Sequence, residues 1–259
     1  MDNSISMKDA ITQRLAEIER QEKIVILHAV ESGSRAWGFA SPDSDYDVRF
    51  IYVRPKDFYL KLEKTRDVIE WQLDETLDIG GWDLQKALRL LHSSNPTLFE
   101  WASSPIVYKT TEQWHQIGAK INSFFLAKAG LYHYLSTAQS NYREYLKGEQ
   151  VKLKKYFYVL RPLLACRWIL AKNCPPPMLF SELKNTMLEP ALHPAVDRLL
   201  AMKAKTPEMG VGARIDELGE YIDRSLVEIK ALIDEKSNDD KQGWEQLNEL
   251  FLRAVEASL

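Results

Sequence analysis

Glu31-Ser-Gly-Ser-Arg-Ala-Trp-Gly38 and Asp45-Tyr-Asp-Val-Arg-Phe-Ile-Tyr-Val53 decide how this chain reads. The run before them, Lys23-Ile-Val-Ile-Leu-His-Ala-Val30, is β-branched and almost continuously apolar. That pattern predicts a buried strand. Gly33-Ser34 then forms a turn that opens a short helix. Backbone N–H groups exposed at a helix start suit a phosphate. Glycine lets the backbone approach closely, and the Ser34 hydroxyl adds a donor. Alternation in the second segment places Asp45, Asp47 and Arg49 on one face, with Tyr46, Val48 and Phe50 on the other. Side chains two apart in a strand are about 6 to 7 Å apart along the chain, so both carboxylates can converge on one or two hard cations. Such oxygens suit Mg²⁺, with Mn²⁺ as a substitute. Mg²⁺ takes one or two carboxylates and fills its shell with phosphate and water oxygens.

A third carboxylate would complete such a site. Residues 66 to 80 read as two strands, Asp67 to Leu73 and Thr76 to Ile79, around a turn near Asp74. Asp78 is the first choice. Leu77 and Ile79 flank it and are expected to bury it beside the sheet, where an uncompensated charge would be costly. Glu70 and Asp83 compete with it. Asp83 is more simply the N-cap of a helix over Leu84 to His92. Ser93-Ser-Asn-Pro96 ends that helix. A shorter helix from Leu98 to Trp101 and a short strand from Ile106 to Tyr108 follow. Ahead of everything, Ile5, Ile11, Leu15 and Ile18 mark an amphipathic helix over 5 to 22.

After Thr110 the strand signals stop. Helices are expected near 111–146, 150–172, 179–188, 191–204, 214–235 and 242–257, with Pro175-Pro-Pro177 as a stiff connector. The fold class is α+β: a mixed sheet with flanking helices over 1–110, then an all-helical C-terminal domain over 111–259. The last helix carries an apolar stripe of Trp244, Leu247, Leu250, Phe251 and Val255. That stripe packs into the helical bundle or, if exposed, docks a protein partner.

The 259 residues hold 34 Lys and Arg against 37 Asp and Glu. The small negative total hides an uneven distribution. Residues 1–110 carry 14 basic and 18 acidic groups, whereas residues 128–172 carry nine basic and only two acidic, a local +7. Eight aromatic residues are interleaved there. Lys154, Tyr158 and Arg161 share a helical face that could hold a triphosphate or a nucleic-acid backbone. Lys155 replaces Lys154 if the helix is rotated. Arg35 either contacts phosphate or forms a salt bridge. No apolar run approaches a membrane span. Two cysteines and five dispersed histidines argue against a disulfide framework and a His/Cys zinc site. A cytoplasmic protein is expected.

Gly33-Ser34, ten residues, Asp45-x-Asp47, and then Asp78 together resemble the signature of the DNA polymerase β-like nucleotidyltransferase superfamily. The segments 33–39, 44–49, 81–88, 94–96, 100–101 and 154–164 resemble its YcgL/RlaP-type branch, some members of which accompany RNA-repair ligases. The resemblance implies a polymerase-β-like mixed sheet and Mg²⁺-dependent transfer of a nucleoside monophosphate from an NTP to an acceptor hydroxyl. Gly33 and Ser34 would hold the triphosphate. Asp45 and Asp47 would ligate metal. Asp78 would be a ligand or the base. A nucleic-acid end, RNA first and DNA second, is the expected acceptor. The alternatives are a small molecule, a protein side chain, or a non-catalytic nucleotide- or RNA-binding module.

Overall fold

The computed structural model describes residues 6–72, 76–205 and 210–257. Ile5 and the turn near Asp74 lie outside them. The chain opens with α1 (Met7–Glu22), β1 (Val25–Glu31), α2 (Gly33–Ala36), β2 (Tyr46–Val53) and α3 (Lys56–Tyr59). It continues with β3 (Val68–Gln72), β4 (Leu77–Asp83), α4 (Leu84–His92), α5 (Pro96–Ala102) and β5 (Val107–Thr110). Next come α6 (Glu112–Ile121), α7 (Ala127–Tyr145), β6 (Gln150–Lys152), α8 (Lys155–Lys172), α9 (Phe180–Met187) and α10 (His193–Lys205). The chain closes with β7 (Val211–Ala213), α11 (Asp216–Glu235) and α12 (Glu245–Glu256).

Among the described residues the main sheet has the order β3-β4-β2-β1-β5. Only β2 and β4 run parallel; the other neighbours are antiparallel. The fold is therefore α+β with a mixed sheet, as expected. Strand alternation sends Ile26, Val48, Phe50 and Ile79 to one face, where Ile11, Leu15 and Ile18 of α1 cover them. Leu27, Val30, Ile51 and Val53 occupy the opposite face. Leu84, Leu88 and Leu91 of α4, Trp101 of α5, and Trp114 and Ile117 of α6 cover that side. A third apolar core, built on α7, α8 and α11, holds the helical part together.

Three local expectations need revision. The helix read over 111–146 is broken. Its first part ends at Ile121, a 3₁₀ turn spans Asn122–Phe124, and Phe125 is extended. Ser94 causes the break, because its hydroxyl accepts the Leu126 amide at 2.8 Å. The helix read from 150 starts only at Lys155. Residues 150–152 instead pair antiparallel with 211–213, which points Val151 into the helical core at 1% exposure. The stripe on α12 packs on the sheet side, with Leu247, Ala254 and Val255 in the core of α4 and α6 rather than in the helical bundle. Among the described residues no helix is long and apolar enough to cross a membrane.

His28 of β1 shows what burial costs. It stacks on Trp114 at 4.5 Å, and among the described residues neither ring nitrogen makes a well-formed hydrogen bond, although the Trp101 and Lys109 backbone groups lie near. Burial lowers its pKa from 6.5 to about 4. The folded state therefore holds the neutral ring, and the unfolded chain binds a proton that the folded one refuses. Stability from this group is full above pH 6.5 and drains away as pH falls toward 4. The loss amounts to about 3 kcal/mol. His28→Phe keeps the stack, and its unfolding free energy should lose that slope in urea titrations run between pH 6.5 and 4. An unchanged slope would refute the assignment.

Candidate active site

The parallel register of β2 and β4 places Asp47 directly across from Asp78. Neighbouring strands lie about 4.8 Å apart, so the two carboxylates are close by construction. Arg49, on the same face of β2, stands between them. Its Nη2 lies 2.6 Å from Asp78 Oδ2 and 3.4 Å from Asp47 Oδ1. Its Nη1 also donates to the carbonyls of Val48 and Asp78. Burial pushes the Asp47 carboxyl above its ordinary value. Arg49 opposes that, whereas Asp78 and Asp45 add to it.

Asp45 sits just before β2, exposed, with no ion pair on its carboxylate among the described residues. Asp78 is half exposed, at 51% for its side chain. This corrects the expectation of burial: Leu77 and Ile79 point to the covered face and Asp78 points away from it. The rivals are elsewhere. Glu70 pairs with Arg66 at the surface. Asp83 is the buried N-cap of α4, accepting from the Gln85 amide at 2.8 Å and the Tyr59 hydroxyl at 2.9 Å. It lies five residues along β4 from Asp78, roughly 17 Å away.

Gly33 has a second role that the sequence alone did not suggest. Its φ is +60°, and a Cβ there would collide with the Asp47 carboxylate. Glycine at 33 is therefore what makes room for Asp47. The Ser34 hydroxyl makes no hydrogen bond among the described residues, so it is open to a ligand. Arg35 is not open in the same way. It donates to the carbonyls of Ser44 (2.6 Å) and Asp45 (3.1 Å) and stacks on Tyr46 at 3.6 Å. It shapes the loop that delivers Asp45.

Behind the acidic face lies Glu31, fully buried at the end of β1. It accepts the Asp47 amide at 2.7 Å and the Tyr108 hydroxyl at 2.5 Å. Burial raises its pKa, and these two hydrogen bonds oppose the rise. Sequence reading passed over Glu31 as part of the turn. An acidic residue directly after an apolar strand and before Ser-Gly-Ser was the available signal.

The helical part reaches the site through α8. The nearby Asp47 and Asp45 carboxylates add to the burial that raises the Tyr158 phenol. Tyr158 also packs edge-on against Trp37 at 5.8 Å. Lys155 lies over the rings of Tyr145 and Tyr158. Lys154 is electrostatically coupled to Lys203 of α10, which burial lowers and Asp43 raises. Sequence reading missed Lys203, since nothing in its helix set it apart. Arg161 departs from the expected phosphate-facing role. It is 4% exposed, pairs with Glu100 at 2.8 Å and stacks on Trp37 at 4.6 Å. Its charge is already matched inside the protein.

Among the described residues no three His, Cys, Asp or Glu side chains form a ready-made cation cage. The donor set still fits Mg²⁺, because that ion needs only one or two carboxylates when phosphates complete its shell.

Residues 7–253 match the model of the RNA repair pathway DNA polymerase beta family. The chain is 45% identical over 255 residues to a Bacillus subtilis protein described as the uncharacterized protein YcgL, covering 96% of this chain and 97% of that one. It also resembles a solved nucleotidyltransferase-like protein from Exiguobacterium sibiricum at 16% identity and a TM-score of 0.33. That alignment covers 86% of this chain and 74% of the other.

Two substitutions separate structure from binding here. Arg161→Ala strips a buried charge of its partner and should cost about 3 to 5 kcal/mol in urea denaturation. An unchanged midpoint would mean that Arg161 serves only a ligand. Gly33→Ala, at a positive φ, should cost more than about 1 kcal/mol in the same assay. A neutral Gly33→Ala would show that Asp47 is not packed against residue 33.

Proposed function

The chain belongs to the RNA repair pathway DNA polymerase beta family and is by family a nucleotidyltransferase; from that premise we propose that it moves a nucleoside monophosphate from an NTP to the hydroxyl of an RNA end. The observation that carries this reading is the register of Asp47 with Asp78, with Asp45 two residues away on the approach to β2. Asp45 and Asp47 would hold Mg²⁺ or Mn²⁺, and Asp78 would be the third carboxylate, as ligand or as base. Such a cation, when bound, neutralises charge on the transferring phosphoryl group and on its leaving oxygens.

The chain's own residues position the rest. Gly33 and Ser34 hold the triphosphate, with the Ser34 hydroxyl as donor. Glu31 fixes the Asp47 backbone, and Arg49 keeps Asp47 and Asp78 together before substrate arrives. Lys154, Lys155 and Tyr158 face the polyanion from the helical side. The acceptor oxygen attacks the α-phosphorus and pyrophosphate leaves in line, a reaction dominated by positioning and charge. An RNA end is favoured over a small molecule because the matching family is described as belonging to an RNA repair pathway. The two free thiols support a cytoplasmic setting. One feature favours a non-catalytic binding module instead: Arg49 already supplies the charge between Asp47 and Asp78.

Incubation with each α-³²P-labelled NTP, Mg²⁺ and panels of RNA, DNA and protein acceptors separates the readings. The expected result is label on RNA, lowered at least about 10³-fold in Asp45→Ala and Asp47→Ala, as for loss of a group that stabilises transferring charge. Tight NTP binding without transfer to any acceptor would establish the binding module.

A further inference from the structure

Beside the acidic face is a pocket of about 130 Å³, open at its mouth, between α2, α5, α7 and α8. Trp37, Phe157 and Tyr158 supply aromatic walls. Trp37 directly follows the α2 turn that carries Gly33 and Ser34. Tyr158 both lines the pocket and senses Asp45 and Asp47. The pocket therefore adjoins the turn that carries Gly33 and Ser34.

Its lining mixes donors, among them Arg161 and the Trp37 indole N–H, with two acceptors that stand out. Glu100 lines it with its side chain 13% exposed. Glu100 Oε1 is taken by the Tyr134 hydroxyl at 2.9 Å and by Arg161 at 2.8 Å. Glu100 Oε2 makes no hydrogen bond among the described residues. Pro162, inside α8, offers no N–H to the Tyr158 carbonyl one turn earlier. Both features present acceptors and ask for a donor. Aromatic walls suit a flat heterocycle, since every base has a π-face.

We propose that this pocket binds a nucleobase and that Glu100 Oε2 reads the exocyclic group at its edge, taking the amino group of adenine or cytosine over the carbonyl that uracil presents there, which a carboxylate oxygen repels. The proposal rests on the nucleotidyltransferase reading and deepens it by naming the base-selecting residue. The Arg161–Glu100 pair gives the selection its rigidity. Arg161 and Tyr134 hold Oε1, which leaves Oε2 to a ligand. A site built to accept an N–H rejects an analogue that lacks it, because the buried acceptor is left without a partner. The base belongs either to the incoming NTP or to the terminal nucleotide of the acceptor.

The test is equilibrium binding by the full chain with Mg²⁺. Ligands are ATP, purine riboside triphosphate (adenine without its amino group), CTP, UTP and inorganic tripolyphosphate. A trinucleotide ending in adenosine is compared with one ending in uridine. ATP should bind at least about tenfold more tightly than its deaminated analogue, and CTP than UTP. The same preference confined to the trinucleotides assigns the pocket to the acceptor and supports the proposal equally. Glu100→Gln should erase the preference. Because that change disturbs Arg161, Thr137→Trp, which fills the pocket from α7, gives a second reading. There ATP, or the adenosine-ended trinucleotide, should lose its advantage over tripolyphosphate or over the uridine-ended one. Equal binding of amino-bearing and amino-free ligands in the wild type overturns the proposal while leaving the transfer reaction intact. An ATP advantage that survives Thr137→Trp also overturns it. Failure of every ligand, tripolyphosphate included, overturns the parent reading and this one with it.

Discussion

Glu31 is the constraint around which the acidic face is arranged. A carboxylate with no exposure must be satisfied by hydrogen bonds or be neutral, because desolvation penalises the charge heavily. Glu31 takes its bonds from the Asp47 amide and the Tyr108 hydroxyl, which ties β1 to β2 and to β5 at once. The Ser32 amide donates to the Asp47 carbonyl at 2.8 Å, and the Ser104 hydroxyl donates to the Glu31 carbonyl at 2.6 Å. Asp47 is thus held through its backbone on both sides. Its side chain fills the space that any residue other than glycine would occupy at 33. The remaining like-charge repulsion, from Asp45 and Asp78, is what Arg49 offsets. Arg49 is thus a counter-charge built into the carboxylate cluster.

The acidic face alone would be a surface. It becomes a cleft because two links join the sheet to the helices. Trp37 and Phe39 leave α2 and enter the helical core, where Phe39 stacks on Phe157 at 5.0 Å and meets Phe180 edge-on. On the other flank the Glu100–Arg161 pair, with side-chain exposures of 13% and 5%, connects α5 to α8. Buried pairs of this kind add little net stability over apolar replacements, but breaking one partner is costly. Their effect is to fix geometry. Here the fixed geometry is the distance between Tyr158 and the carboxylates.

The sheet, the Gly33-Ser34 turn, the alternation of Asp45, Asp47 and Arg49, and the Asp83 cap were legible in the sequence because each is a local pattern: period two, a cap before an apolar run, a glycine at a turn. What escaped was non-local. Asp78 looked buried because Leu77 and Ile79 flank it, yet in a strand flanking residues face the opposite side. Its partnership with Asp47 depends on a parallel register that no short segment encodes. Glu31 gave a weak signal, since one acidic residue at a strand end is ordinary until its bonds to residues 47 and 108 are seen. The helix expected over 111–146 failed because Ser94, about thirty residues earlier, captures the Leu126 amide. Arg161 matched the helical spacing of a basic face, but spacing does not reveal that Glu100 faces it from another element.

The charge pattern changes meaning in the same way. The +7 stretch suggested one basic stripe, but several of its cations are tied to structure. Lys128 donates to the Lys236 carbonyl, Lys147 pairs with Asp223, Arg161 with Glu100 and Arg167 with Glu228. The cations nearest the site are grouped at the start of α8, where Lys152 and Lys155 lie over the Tyr145 ring, with Lys154 next to them and Lys203 close by. Burial lowers both Lys155 and Lys203, so each ammonium is partly desolvated before any ligand arrives. An anion drawn there gains more per contact than it would at a hydrated surface lysine, because screening and competing water are reduced. Acidic strands on one side and a compact, partly desolvated group of lysines on the other give the cleft a field directed from the helices to the sheet. On the proposed reading, a polyanion entering there would be drawn phosphate-first toward these lysines, and a cation would be needed between its remaining charge and Asp45 and Asp47.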